Sequence, residues 1–193
     1  MTGSDLKADL QIYLQDARDV LLRKLEGLSE FDIRRPLTPT GTNLLGLVKH
    51  VTSADALYFG ATFGRPFDAP GLWITGDAET NSDLWARADE SRERIVGLYH
   101  SVWTHSDTTI DALELDAVGR LPTDEQPEFT LHRILVHMIA ETQRHAGHAD
   151  VVRELIDGTT GLRDGSDNMP PRDAAWWRDH RDRVERAARQ AGA

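Results

Sequence analysis

Apolar residues recur every three or four positions from Ser4 to Leu28, at Leu6, Leu10, Leu14, Ala17, Leu21, Leu25 and Leu28, with charged residues between them. That spacing predicts a long amphipathic helix. The stretch Arg35-Pro36-Leu37-Thr38-Pro39-Thr40-Gly41 breaks it, and Thr40 or Thr42 can cap a second helix running from about Asn43 to Phe63. Gly, Pro, Asp and Asn then dominate Gly64 to Ser82, where Leu72, Trp73 and Ile74 point to an ordered crossover. Ser82 reads as the cap of a third helix reaching about His105. A turn-rich link, Gly119 to Glu128, leads to Thr130, which can cap a fourth helix ending at Asp157 and stopped by Gly158.

The pattern therefore predicts an all-α fold, a four-helix bundle over residues 1–158, with crossovers long enough that the bundle need not be simply up-down-up-down. Residues 159–193 form a C-terminal extension, irregular at first and then helical from about Asp173 to Gln190 with Trp176, Trp177, Val184 and Ala187. This extension is expected to pack back on the bundle or on a partner subunit, as in a homodimer. Trp85, Trp103, Trp176 and Trp177 occupy helical positions and read as packing residues.

Composition narrows the function. A net charge of -10 disfavours a nucleic-acid partner, because phosphate binding needs clustered Lys and Arg. Only Lys7, Lys24 and Lys49 of the 22 basic residues are lysine, a skew that fits a GC-rich genome. No stretch reaches the roughly 18 apolar residues of a membrane span, and the first residues carry no secretory pattern, so a cytoplasmic protein is expected. With no cysteine, a metal must bind through nitrogen and oxygen, and a sulfur nucleophile must come from outside.

The chemistry concentrates between Ile134 and His148. At helical spacing His137, Glu141, His145 and His148 fall within an arc of about 80°. Ile134, Met138, Val152, Leu155 and Ile156 project to the same side, while His132, Gln143, Arg144, Asp150 and Glu154 point away, so the polar stripe is expected in the middle of the core-facing surface. A carboxylate placed there needs a cation. On the second helix His50 shares a side with Leu47, Ala54, Leu57 and Tyr58, whereas Lys49, Thr52 and Asp55 are expected to face away. Facing helices can thus hold one divalent ion, most simply zinc, on His50, Glu141 and His145. Three protein ligands leave the fourth tetrahedral position open, as catalytic sites do. His148 is expected beside the site as a proton carrier and His137 in a structural hydrogen bond. His100, His105, His132 and His180 lack partner spacing and read as surface residues.

Leu47-Val48-Lys49-His50-Val51, followed downstream by His145-Ala146-Gly147-His148, resembles the DinB superfamily of four-helix metalloproteins. The resemblance extends to Glu154-Leu155-Ile156-Asp157-Gly158 and to Asn168-Met169-Pro170-Pro171 with Trp176-Trp177, which look like an actinobacterial branch. Most members bind metal through three histidines. Glu141 stands here in place of one, which is similar to mycothiol-dependent maleylpyruvate isomerase, where a His, Glu, His set binds zinc. The resemblance implies a thiol S-transferase that joins mycothiol to an electrophile in detoxification. Only about 35 residues follow the fourth helix, so the isomerase's large C-terminal domain is not expected. The same ligands would also serve a metal-dependent hydrolase or a non-catalytic metal-binding stress-response protein.

Overall fold

Gly27, with a φ of 72°, ends the first apolar run before its pattern does. In a computed structural model of the chain, which describes residues 3–68, 72–73, 79–123, 125, 127–162 and 169–192, α1 spans Gly3–Arg23 and residues 24–27 leave it through successive tight turns. Ser29 then caps a separate short helix, α2 (Glu30–Arg34), by accepting the Asp32 N–H. Ile74 and Asn168, both used in the sequence reading, lie outside the described residues.

The second long helix, α3 (Leu44–Asp55), is capped by Asn43 rather than by Thr40 or Thr42, the Asn43 Oδ1 accepting the Gly46 N–H at 2.8 Å. It continues as a π-helical turn, Ala56–Gly60, and a 3-10 turn, Ala61–Phe63, and stops at Gly64 with φ 67°. The expected outward face does not exist. Lys49, Thr52 and Asp55 are buried, because α3 packs against α5 (Leu131–Asp157) on one side and α4 (Arg92–Ala112) on the other. Charges taken out of water must be paired. Lys49 meets Glu90 at 2.8 Å, and Asp55 meets Arg18 of α1 at 3.0 Å. The Thr52 hydroxyl donates to the Val48 carbonyl.

Ser82 opens only a 3-10 turn, Ser82–Leu84. The third long helix, α4, begins nine residues later, where Ser91 accepts the Arg94 N–H, and it runs past His105 to Ala112. Two short strands, β1 (Val118–Arg120) and β2 (Glu128–Thr130), pair antiparallel with Gly119 opposite Phe129. Thr130 then caps α5, and Gly158 ends it with φ 78°, as the sequence predicts.

Cross-contacts set the directions. Lys7 reaches the Asp111 and Leu113 carbonyls and Arg92 reaches that of Leu28, so α1 and α4 are antiparallel. Arg18 touching both Asp55 and Asp107, with Lys49 on Glu90, makes α3 and α4 run the same way. Leu10 and Leu14 beside Ile134 and Leu135, with Lys24 on Asp150, align α1 with α5. The all-α bundle is therefore up-down-down-up, and the link from α3 to α4 must travel back along it. Two apolar clusters fill the interior, one around Leu45, Val48, Tyr99 and Val152 and one around Leu14, Phe59, Ile110 and Met138. Leu155, expected on the core side of α5, is 63 % exposed, the inward positions of that turn being Val152 and Ile156.

The chain divides into two compact units, 1–160 and 161–193. The second contains α6 (Ala174–Ala191), capped by Asp173, whose carboxylate accepts the Trp176 N–H at 2.8 Å. Within it the Trp176 ring stacks on His180. Among the described residues no helix is long and apolar enough to cross a membrane.

Candidate metal centre

Because α3 and α5 run antiparallel and touch along their middles, His50 of one faces two successive turns of the other. His145 Nε2 lies 2.9 Å from Glu141 Oε1, and His50 Nε2 lies 3.4 Å from the same oxygen. The two imidazole rings meet edge to face with centroids 4.7 Å apart. One donor atom from each of the three residues falls within 4.8 Å of the others. Zinc bonds of about 2.0–2.1 Å in a tetrahedron separate neighbouring donors by about 3.3 Å. The observed spacings straddle that value, so the three side chains fit such an ion with little movement.

The site is not in the middle of the core. Its side chains are 24 % (His50), 28 % (Glu141) and 13 % (His145) exposed. Met138, Thr142, Ala146 and Ala149 take the buried centre of α5, which turns the Glu141 and His145 positions to the edge of its contact with α3. That offset leaves the donors accessible to a small molecule.

Burial works against the Glu141 carboxylate, but the hydrogen bond and charge of His145, joined by those of His50, hold it below the ordinary carboxylate value. Burial pushes His145 below the ordinary histidine value, helped by His50 and His148 and opposed by Glu141. An ionised carboxylate beside an imidazole that resists protonation is the state a divalent ion requires. Among the described residues the buried His145 Nδ1 has no hydrogen-bond partner, so the ring's polar contact runs through Nε2.

A fourth participant escapes the sequence reading. Asp83 Oδ2 lies 2.6 Å from His50 Nδ1. Accepting that N–H, it holds the ring so that Nε2 faces Glu141, the arrangement that sets which nitrogen is free to bind a metal. Asp83 sits 33 residues from His50 in the 3-10 turn that the sequence reading takes for the start of a helix. Its only signal was an acidic residue just after an ordered crossover.

The other histidines divide. His148 is exposed, with its ring 5.5 Å from that of His145, within reach of the site's solvent side. His137 is also exposed and packs edge-on against the Tyr58 ring at 4.7 Å, and among the described residues it makes no hydrogen bond of the expected structural kind. His105 is half-buried rather than superficial and donates from Nε2 to the Arg65 carbonyl at 2.7 Å. His100 and His132 are exposed. Trp103 is buried as a packing residue, whereas Trp85 follows the 3-10 turn and is 44 % exposed, outside any helix.

The family model described as Mycothiol-S-transferase matches residues 9–158, which carry His50, Asp83, Glu141 and His145 and end at the glycine that closes α5. No protein of curated function matches the sequence. Among solved structures, the crystal structure of a conserved protein from Enterococcus faecalis superposes with a TM-score of 0.58, over 82 % of this chain and 99 % of that one. The two share 15 % identity, and the likeness speaks for the fold alone.

Proposed function

The chain belongs to the mycothiol-S-transferase family, a DinB-like family, and from that membership we propose that it joins mycothiol to electrophilic substrates at a divalent-metal site, most simply zinc, on His50, Glu141 and His145. The observation that carries this reading is the convergence of those three partly exposed side chains in a chain without cysteine. The sulfur must then arrive with the co-substrate.

When bound, zinc would supply the charge that favours the deprotonated thiol, the form that acts as nucleophile, without redox chemistry of its own. The protein's residues do the rest. Asp83 holds His50 in one ring orientation, and Glu141 would add a negative charge that keeps a thiolate at the site electron-rich. His148, exposed one turn beyond His145, is placed to pass the thiol proton to solvent. The sulfur forms a bond to the electrophilic carbon, and the leaving group departs with the bonding pair. A cytoplasmic site of action, where low-molecular-weight thiols are kept reduced, accords with this chemistry.

The test follows the conjugation of a bimane or chlorodinitrobenzene probe. Zinc-loaded protein should accelerate conjugation to mycothiol well above chelator-treated protein and the Glu141→Ala variant, with glutathione a poorer thiol. Equal rates in all preparations across several electrophiles would overturn the reading.

A further inference from the structure

Residues 82–85, the turn that carries Asp83, are fastened to α3 from three directions. Lys49 Nζ donates to the Ser82 carbonyl at 2.9 Å, to the Trp85 carbonyl at 2.6 Å and to Glu90 Oε2 at 2.8 Å. All three ammonium donors are thereby used. Asn43 Nδ2 donates to the Leu84 carbonyl at 3.1 Å. Glu90 is itself held, taking the Trp73 indole N–H at 2.6 Å and the Arg87 N–H at 2.7 Å, while the Trp73 ring lies 4.3 Å from Lys49 Nζ. The carbonyls of residues 82, 84 and 85 are therefore gripped around the one residue, Asp83, whose carboxylate meets His50. Filling this space needs no charge, and an apolar side chain would avoid the desolvation of a buried ion pair. A multiple donor such as the Lys49 ammonium can hold the carbonyls of Ser82 and Trp85 together, on either side of Asp83 and Leu84.

We propose that Lys49 is a positioning residue of the metal centre: it fixes the 82–85 turn so that Asp83 keeps His50 Nε2 directed at Glu141 and His145. The proposal rests on the reading of His50, Glu141 and His145 as metal ligands.

The experiment measures zinc affinity of tag-free protein by competition with a chromophoric chelator. The wild type is compared with Asp83→Ala, with Lys49→Met/Glu90→Gln, which strands no charge, and with all three changes together. Circular dichroism checks that each is folded. Asp83→Ala should weaken zinc binding on the order of 10–100-fold. The Lys49/Glu90 pair should weaken it several-fold, although it leaves every ligand in place. The triple variant should bind no more weakly than Asp83→Ala alone, because a residue acting through Asp83 has nothing left to act on once the oxygen that accepts the His50 N–H is gone. Should the pair fail to fold, Glu90→Gln alone is expected to give a smaller loss that also vanishes in the Asp83→Ala background. Losses that multiply, or wild-type affinity in the variants that loosen the turn, overturn the positioning role while the ligand reading stands. A wild-type protein that binds no zinc overturns both.

Discussion

Gly46→Ala tests the close fit between α3 and the turn that carries Asp83. A Cβ at position 46 would stand 1.9 Å from the Leu84 carbonyl oxygen, 2.5 Å from its carbon and 2.9 Å from Asn43 Oδ1. Those atoms are the backbone of the turn and the cap of the helix, so neither swings aside as a flexible side chain would. The oxygen has to retreat by more than about 1 Å, which costs about 1–3 kcal/mol by the usual scale of overpacking. Losing the Asn43 bond to that oxygen adds about 1 kcal/mol. Against this, alanine favours the helix over glycine by about 1 kcal/mol. The net effect is a destabilisation of about 1–3 kcal/mol, a fall in Tm of about 2–12 °C for a chain of this size. Gly97, in α4, is the control. Among the described residues nothing outside the helix's own backbone lies within 4 Å of a Cβ there, so Gly97→Ala should gain the propensity term alone and raise Tm by about 2–4 °C. Thermal unfolding followed by circular dichroism at 222 nm reads both variants. If Gly46→Ala matched Gly97→Ala in sign, the packing of the turn against α3, and the positioning argument built on it, would be wrong.

Arg18→Met should cost about 3–5 kcal/mol in chemical denaturation, because Asp55 would stay buried without its partner, whereas Asp107→Asn, at the 44 % exposed end of the same cluster, should cost less than about 1 kcal/mol. Asp157 is held below the ordinary carboxylate value of 3.8, at about 2, chiefly by its hydrogen bond from Arg153. The stabilisation it contributes is present above 3.8 and is lost as pH falls through about 2; carboxyl-detected NMR should find that midpoint, and Arg153→Ala should return it toward 3.8. His145→Ala should remove nearly all bound metal from protein purified without chelator, as measured by elemental analysis, and full occupancy in the variant would strike His145 from the ligand set.

Much of the bundle is written in the chain itself, because helical period and capping chemistry act locally. Thr130 and Gly158 bracket α5 as read, since a hydroxyl cap and a left-handed glycine do their work within one turn. Glu141 and His145 could be grouped for the same reason: a spacing of four residues puts two donors on one face whatever surrounds the helix. Local signals failed where two candidates were chemically alike. Ser82 and Ser91 can each cap a helix, and α4 starts at the second because Lys49 and Glu90 hold residues 82–90 in another conformation. Periodicity also reports which residues share a side but not how many sides are covered. The polar side of α3 read as solvent-facing, yet α4 lies against it, and Lys49 and Asp55 became interior ions paired with residues far along the chain. Asp83 belongs to the same class, since its contact with His50 crosses 33 residues and repeats with no period. The chain alone determined most of the helices and the candidate donor types, because neighbouring residues decide both; only the tertiary structure decided that the 82–85 turn lies against α3 with Asp83 on His50, because that depends on which distant surfaces meet.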